Sequence, residues 1–350
     1  MKKLRVVFWM IVLFASPLFA RDKSDVLVMR NGDRLTCEIK RLSADVLYIG
    51  LDYALGTVSI NWFKVDHLES NQLFVVKTQD GEVYSGKLSM SKTAAERPVS
   101  IDVIEEPGKS VQLERTEIAK MDQSSENLWS RFNGSIGLGA IYTKANETTQ
   151  YDLSTDVNYP RDRWGASASY VSTLASNKGT STSSRNQTDA SAQRLMPWNN
   201  WYYTGFVSFL QSSVQGIDLS SSYGGGVGRY LKNSNHFFMS VAGGFGLQHI
   251  SYQQSVAAST QNVSAGWIAT QVKLFRFDQT NLSVTASLLP AISNPGRVHF
   301  NLNTGYNIKI LGKFNFNVSL YGNWDNQPPP GLSGSDYGTS AGVNWNFGNH

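Results

Sequence analysis

From Val298 to its end the chain alternates between large apolar and small polar residues. Val298, Phe300, Leu302, Thr304, Tyr306, Ile308 and Ile310 fall on one side, and His299, Asn301, Asn303, Gly305, Asn307 and Lys309 on the other. After a Leu311–Gly312 turn the pattern restarts with Phe314, Phe316, Val318 and Leu320. It returns as Tyr337, Thr339, Ala341, Val343, Trp345 and Phe347. A period of two over such lengths predicts strands with two unlike faces. The polar face is small and mostly uncharged, and the aromatics of the apolar face gather near the strand ends. A soluble sandwich uses shorter strands with charged outer faces. Long strands with an apolar side and a Gly/Ser/Asn side predict an all-β chain built on a transmembrane β-barrel.

The same reading extends back to Asn127 and gives twelve segments. Phe132, Gly134, Ile136, Leu138 and Ala140 share a face in the first; Tyr151 to Tyr159 and Trp164 to Tyr170 follow on alternate positions. The fourth, about 186–196, is polar and poorly patterned, and the sixth, about 219–231, is Gly-rich. Short connections at Pro160–Arg163, Pro197–Asn200, Lys232–Asn235, Asp278–Thr280 and Leu311–Gly312 alternate with longer polar ones. Outer-membrane barrels have short periplasmic turns and longer external loops, so an even strand count places both barrel ends in the periplasm.

Residues 25–122 carry a different pattern. Asn31-Gly32-Asp33 between short apolar runs predicts a hairpin, and Asp80-Gly81-Glu82 repeats it. Val58-Ser-Ile-Asn-Trp62-Phe63 returns in altered form as Val111-Gln-Leu-Glu-Arg115. Two tandem SH3/Sm-like small-β units are expected, at 25–70 and 71–122, ahead of a barrel at 127–350. Trp62 and Phe63 are candidates for a contact surface; the alternative for Trp62 is that it closes the small unit's core.

Charge supports that division. About 28 charged residues fall in positions 25–122, against about 23 in the much longer stretch 128–350, so a boundary lies near 123–127. The basic n-region of Lys2, Lys3 and Arg5, the apolar run Val6–Ala15 and the site around Ala20 read as a secretory signal over residues 1–20. The run is too short to span a bilayer. No later stretch is apolar enough for a membrane helix, which leaves strands as the means of crossing. Cys37 stands alone, so no internal disulfide forms. The Sm-like pattern raises RNA binding, but export and mixed charge argue against a nucleic-acid partner.

With the Asn31-Gly32-Asp33 and Val58–Trp62 units followed by the alternating segments of Asn127–Phe347, the chain resembles a family of Gram-negative outer-membrane barrels. That family is domain of unknown function 481, whose members are often labelled salt-induced outer membrane proteins. The resemblance implies an outer-membrane barrel with a periplasmic module, outer-membrane lipids and the barrel assembly machinery as partners, and a link to osmotic stress. Such barrels usually end on an aromatic that the assembly machinery reads. Here Tyr337, Val343, Trp345 and Phe347 carry that pattern, but Gly348-Asn349-His350 follow.

Candidate chemistry is sparse. Asp152, Asp156, Asp189, His299 and Lys309 are the expected polar lumen residues. A substrate channel usually carries rings of charge, and none is evident, so a narrow or closed lumen is expected. No Cys/His cluster has metal-ligand spacing and no cofactor motif is present; Gly224–Gly228 lacks the Lys-Ser/Thr of a phosphate loop. Twelve-stranded outer-membrane phospholipases need a His–Ser pair at the external rim. His249-Ile-Ser251 offers the two residues but lacks the surrounding Asn and second Ser of that family's motif. The expected function is a non-enzymatic envelope barrel with a periplasmic interaction or spacer module, which a periplasmic protein or a cell-wall component would meet. The alternatives are a narrow diffusion channel for small neutral solutes and a lipid hydrolase.

Overall fold

The computed structural model describes residues 23–348 apart from 55, 90–98, 104–108, 125–130, 144–147, 162, 178–181, 198–199, 235, 254–259, 277–279, 329 and 332. The expected signal segment, residues 1–20, lies outside the described residues, as do parts of several connections.

The N-terminal module holds nine strands: β1 (Asp25–Met29), β2 (Arg34–Ser43), β3 (Val46–Gly50), β4 (Thr57–Asn61), β5 (Val65–Thr78), β6 (Val83–Ser89), β7 (Val99–Val103), β8 (Ser110–Leu113) and β9 (Ile118–Gln123). A 3-10 turn at Trp62–Lys64 separates β4 from β5. The duplication is visible in the pairing. β1 pairs with β2 and with the first half of β5; the second half of β5 pairs in the same way with β6 and β9. The two hairpin turns match as well, with Gly32 at φ +92° and Gly81 at φ +89°, a conformation that glycine adopts without steric cost.

The repeats are interlocked. β5 runs through the boundary at 70/71, bulging between Ser70 and Leu73, and β9 also pairs with β2 of the first repeat. A single buried cluster takes Leu27, Ile39, Trp62 and Leu68 from one repeat and Phe74, Ile101, Ile118 and Met121 from the other. Trp62 and Arg115 sit at corresponding places and touch: Trp62 Nε1 donates to the Arg115 carbonyl at 3.3 Å, and the Arg115 guanidinium donates back to the carbonyls of Phe63 and Val65. Buried Asp25 ties β1 in place, accepting from Ile39 N at 2.8 Å and from the Ser70 hydroxyl at 2.5 Å.

The barrel has twelve strands: β10 (Asn133–Thr143), β11 (Thr148–Pro160), β12 (Trp164–Asn177), β13 (Ser183–Leu195), β14 (Trp201–Ser212), β15 (Ile217–Asn233), β16 (Phe237–Tyr252), β17 (Gln261–Arg276), β18 (Thr280–Pro290), β19 (Val298–Leu311), β20 (Phe314–Asp325) and β21 (Ser335–Phe347). Each pairs antiparallel with the next, and β21 closes the ring on β10 from Gly134↔Phe347 to Gly139↔Gly342. Closure satisfies the backbone ladder with no free edge, as a bilayer requires. The outer wall carries the apolar half of the alternation, with Leu138 68% and Phe245 74% exposed. The Tyr159 ring contacts those of Phe132 and Trp164 at the short-turn end. An apolar belt edged by aromatics is the outer surface of a transmembrane barrel.

Candidate functional site

Three places on the barrel gather interacting side chains: its short-turn end, its lumen and the outer wall near its long-loop end.

At the short-turn end, the module docks on the turns that join β11–β12, β13–β14 and β15–β16. The Lys77 ammonium donates to the Arg161 carbonyl at 2.9 Å, and the Asn200 side-chain amide donates to the Gln79 carbonyl at 2.5 Å. Asp45 pairs with His236, and the Phe63 ring stacks on that imidazole with centroids 5.4 Å apart. Asp45 and Asn200 are two of the three described non-glycine residues with positive φ, at +61° and +59°. Asp45 takes its positive φ together with Ala44 as the two central residues of the β2–β3 hairpin, as a type I′ turn requires, and Asn tolerates this region well. Burial pushes the Asp45 carboxyl upward, an effect that His236 opposes. Trp62 and Phe63, neighbours in one 3-10 turn, part company: Trp62 is buried in the module's core and Phe63 faces the barrel.

The lumen is lined unevenly. Tyr202, Phe206, Tyr230, Phe238 and Trp267 pack along β14–β17, with Tyr202 and Tyr230 stacked at 4.6 Å and Phe206 edge-on to Trp267 at 5.5 Å. The Gly-rich run of β15 makes room for them. A Cβ at Gly228 would lie 2.3 Å from the Tyr202 ring, and one at Gly224 would lie 2.9 Å from Phe206. The other side of the lumen is lined by small polar residues, and Val171, Ser191, Gln193 and Asn303 keep exposed surface there.

The sequence-derived lumen residues spread over the length of the barrel. Asp152 accepts from the Thr173 hydroxyl at 2.7 Å and from Gln150; Asp189 accepts from Gln187 at 2.8 Å. Asp156 meets the Ser135 hydroxyl at 3.4 Å. His299 lies 3.6 Å from Asp325, whose carboxylate Arg297 holds with two donors at 2.7 and 3.2 Å. Lys309 shares the inward parity beside a bulge near the short-turn end. These five do not form one site. Tyr337, Val343 and Trp345, the expected assembly residues, are exposed on the outer wall, with Phe347 partly buried beside them.

A group that sequence reasoning missed does come together at the long-loop end. Arg185 of β13, Ser212 of β14, Tyr321 of β20 and Asp336 of β21 meet around the Asp336 carboxylate. It accepts from the Ser212 hydroxyl at 3.2 Å and the Tyr321 hydroxyl at 3.4 Å, with the Arg185 guanidinium at 3.9 Å. The guanidinium also lies over the Tyr321 ring, 4.7 Å from its centroid. The one available signal was an Arg at an inward position of a segment otherwise small and polar.

On the outer wall, His249 Nδ1 is 2.7 Å from Asn262 Oδ1. Ser221 is the cross-strand partner of His249 on the other side, and Ser251 follows two residues on along the same face. An amide oxygen on Nδ1 fixes the tautomer that leaves Nε2 free to accept a proton. Elsewhere on this wall an apolar groove of 610 Å³, lined by Ala166, Ala168, Ala190, Ala192 and Gly205, holds no acid or base apart from the Tyr159 phenol. Among the described residues no group of three or more His, Cys, Asp or Glu side chains is arranged to hold a metal ion.

Fold and contacts together define a transmembrane β-barrel with a small-β module docked on its short-turn end. The chain belongs to the family described as Protein of unknown function, DUF481, whose model matches residues 136–347, the barrel without the module. No curated protein matches it. Among solved structures it is similar to the translocator domain of the autotransporter NalP from Neisseria meningitidis, at 12% identity over 62% of this chain and 87% of that one, TM-score 0.32. It is also similar to the beta domain of the Bordetella autotransporter BrkA (10% identity, 62% and 98% covered, TM-score 0.30) and to a Pseudomonas aeruginosa FadL homologue (10%, 79% and 88%, TM-score 0.27).

Proposed function

We propose that the chain is an outer-membrane protein of the Gram-negative envelope, with a structural or interaction role, whose periplasmic module rests against its own barrel. The observation that carries this reading is the docking of the module on the short-turn end, the end that faces the periplasm in outer-membrane barrels. Outer-membrane lipids and the barrel assembly machinery are its necessary partners. A periplasmic protein or cell-wall component would meet the part of the module turned away from the barrel. The test is gel mobility of the outer-membrane fraction with and without boiling. A closed barrel resists SDS until heated, so a heat-dependent shift is expected. A soluble periplasmic protein with no shift would sink the reading.

A second reading is favoured by one observation. Asn262 supplies the orienting amide that the sequence around His249 lacks, and two serines lie within a residue or two of the imidazole on the same lipid-facing wall. In a lipid hydrolase, Ser221 or Ser251 would attack an acyl ester, pass its proton to His249 Nε2, and release the alcohol as that proton moves on to it; water would then free the acid. The purified chain should then hydrolyse detergent-dispersed phospholipid, with His249→Ala lowering turnover by at least about 100-fold. Absence of turnover in the unaltered chain removes this reading and leaves the first intact.

A further inference from the structure

Arg185 and Ser212 stand on the neighbouring strands β13 and β14, and Tyr321 and Asp336 on the neighbouring β20 and β21, but the two pairs of strands are not adjacent. In a closed ring of twelve, β13 and β21 are four places apart and β14 and β21 are five, close to opposite. Side chains from such strands can meet only by reaching across the lumen. The Ser212–Asp336 hydrogen bond and the Arg185–Asp336 contact are therefore a crossbeam, not a wall ornament. Its three polar anchors are almost fully buried, Ser212 at 1%, Asp336 at 5% and Arg185 at 7% exposed. The Arg185 guanidinium is braced further by Gln187, which in turn donates to Asp189. On the short-turn side of this level the inward residues Val171, Ser191 and Gln193 are exposed, so the lumen holds accessible space beside the crossbeam.

We propose that the Arg185–Asp336 crossbeam is the gate and charge filter of an aqueous path for small solutes through the barrel. Charged side chains inside a membrane protein are costly unless they pair or line a polar path, and here a cation and an anion from strands four places apart pair inside the lumen. While paired, they block the lumen and present little net charge. Loss of either partner both widens the path and leaves the other's charge facing it. Without Arg185, the carboxylates of Asp336 and Asp189 remain and favour cations. With Asp336 neutralised, the guanidinium remains, and the balance moves toward anions. The sign of selectivity is thus set by which partner is removed.

The experiment uses the full chain, reconstituted in planar bilayers under a KCl gradient, after each protein has passed the heat-shift test. The unaltered chain should be silent or show its smallest conductance. Arg185→Ala and Asp336→Asn should each raise conductance several-fold, with reversal potentials displaced in opposite directions, Arg185→Ala toward cation selectivity. Should Arg185→Ala fail to form a heat-shifting barrel, Asp336→Asn, which keeps size and hydrogen-bonding capacity, decides alone. Folded variants with the conductance and reversal potential of the unaltered chain would overturn the gate. The inference rests on the barrel reading, and the two failures are separable: no heat shift in the unaltered chain sinks the barrel, whereas a shift with indifferent variants sinks only the gate.

Discussion

Module and barrel are both built from alternating strands, yet they spend the alternation in opposite directions. In the module the apolar positions turn inward: Leu27, Ile39, Leu68, Val76 and Ile101 have no exposed surface. Each such side chain taken from water stabilises the fold by about 1.5–3 kcal/mol, so the core itself drives folding. In the barrel the apolar positions turn outward, where hydrocarbon is as good a surrounding as another Leu and burial against protein adds little. What holds the barrel is the requirement that every backbone N–H and C=O find a partner away from water, which the ring from β10 to β21 meets. The difference explains the charge step near residue 125. The module's outer surface meets water and carries charge; the barrel's outer surface does not. The two halves should therefore fail separately.

The largest expected effect lies in the module. Trp62→Ala removes the indole that fills the shared core and donates to the Arg115 carbonyl, and a buried Trp→Ala change costs about 3–5 kcal/mol. Cys37 gives the readout. It is fully buried, and burial pushes its thiol up to about 12, with Asp25 and Glu38 adding to the shift, so in the native module it stays protonated and unreactive at neutral pH. In Trp62→Ala, Cys37 should react with a maleimide at neutral pH while the barrel keeps its heat-dependent mobility. Loss of the heat shift as well would break the comparison, because it would make the barrel depend on the module's core.

How much of this was legible in the sequence follows the same division between local and distant. Period-two alternation is a property of one strand at a time, so the twelve strands and their outward faces could be read from residue type alone. The alternation of connection lengths was less regular than expected, since 144–147 and 213–216 are shorter than 196–200. The duplicated Gly32 and Gly81 turns were equally local. Contacts that need three-dimensional closure could not be read. Arg185 and Asp336 are separated by most of the barrel sequence and meet only because the ring closes. Asn262 reaches His249 across a hairpin whose register the intervening polar residues do not fix. Trp62 and Phe63 show the limit at its smallest scale. Both are aromatic and adjacent, and what sends one into the core and the other to His236 is the 3-10 turn and the barrel turn it faces.

The smallest expected effect lies at the junction of the two regions, where the comparison becomes one of independence against coupling. The Phe63–His236 stack and the partly buried Asp45–His236 pair are each worth about 1 kcal/mol, which is roughly a fivefold change in the ratio of docked to undocked module. Because Cys37 is buried, engineered pairs can be cross-linked against a low background. Lys77→Cys with Arg161→Cys places two thiols at a contact where Arg161 offers only its backbone carbonyl. A short bismaleimide should join them readily; Phe63→Ala should slow the joining about fivefold, and His236→Ala, which removes the stack and the Asp45 pair together, about 25-fold. The two together should slow it by less than the product, since both substitutions remove the same stack. Rates unchanged by either substitution would mean that, with Lys77 already replaced, the Asn200 contact to the Gln79 carbonyl holds the module without the stack. Docking would then rest on a backbone carbonyl that any side chain at Gln79 could present.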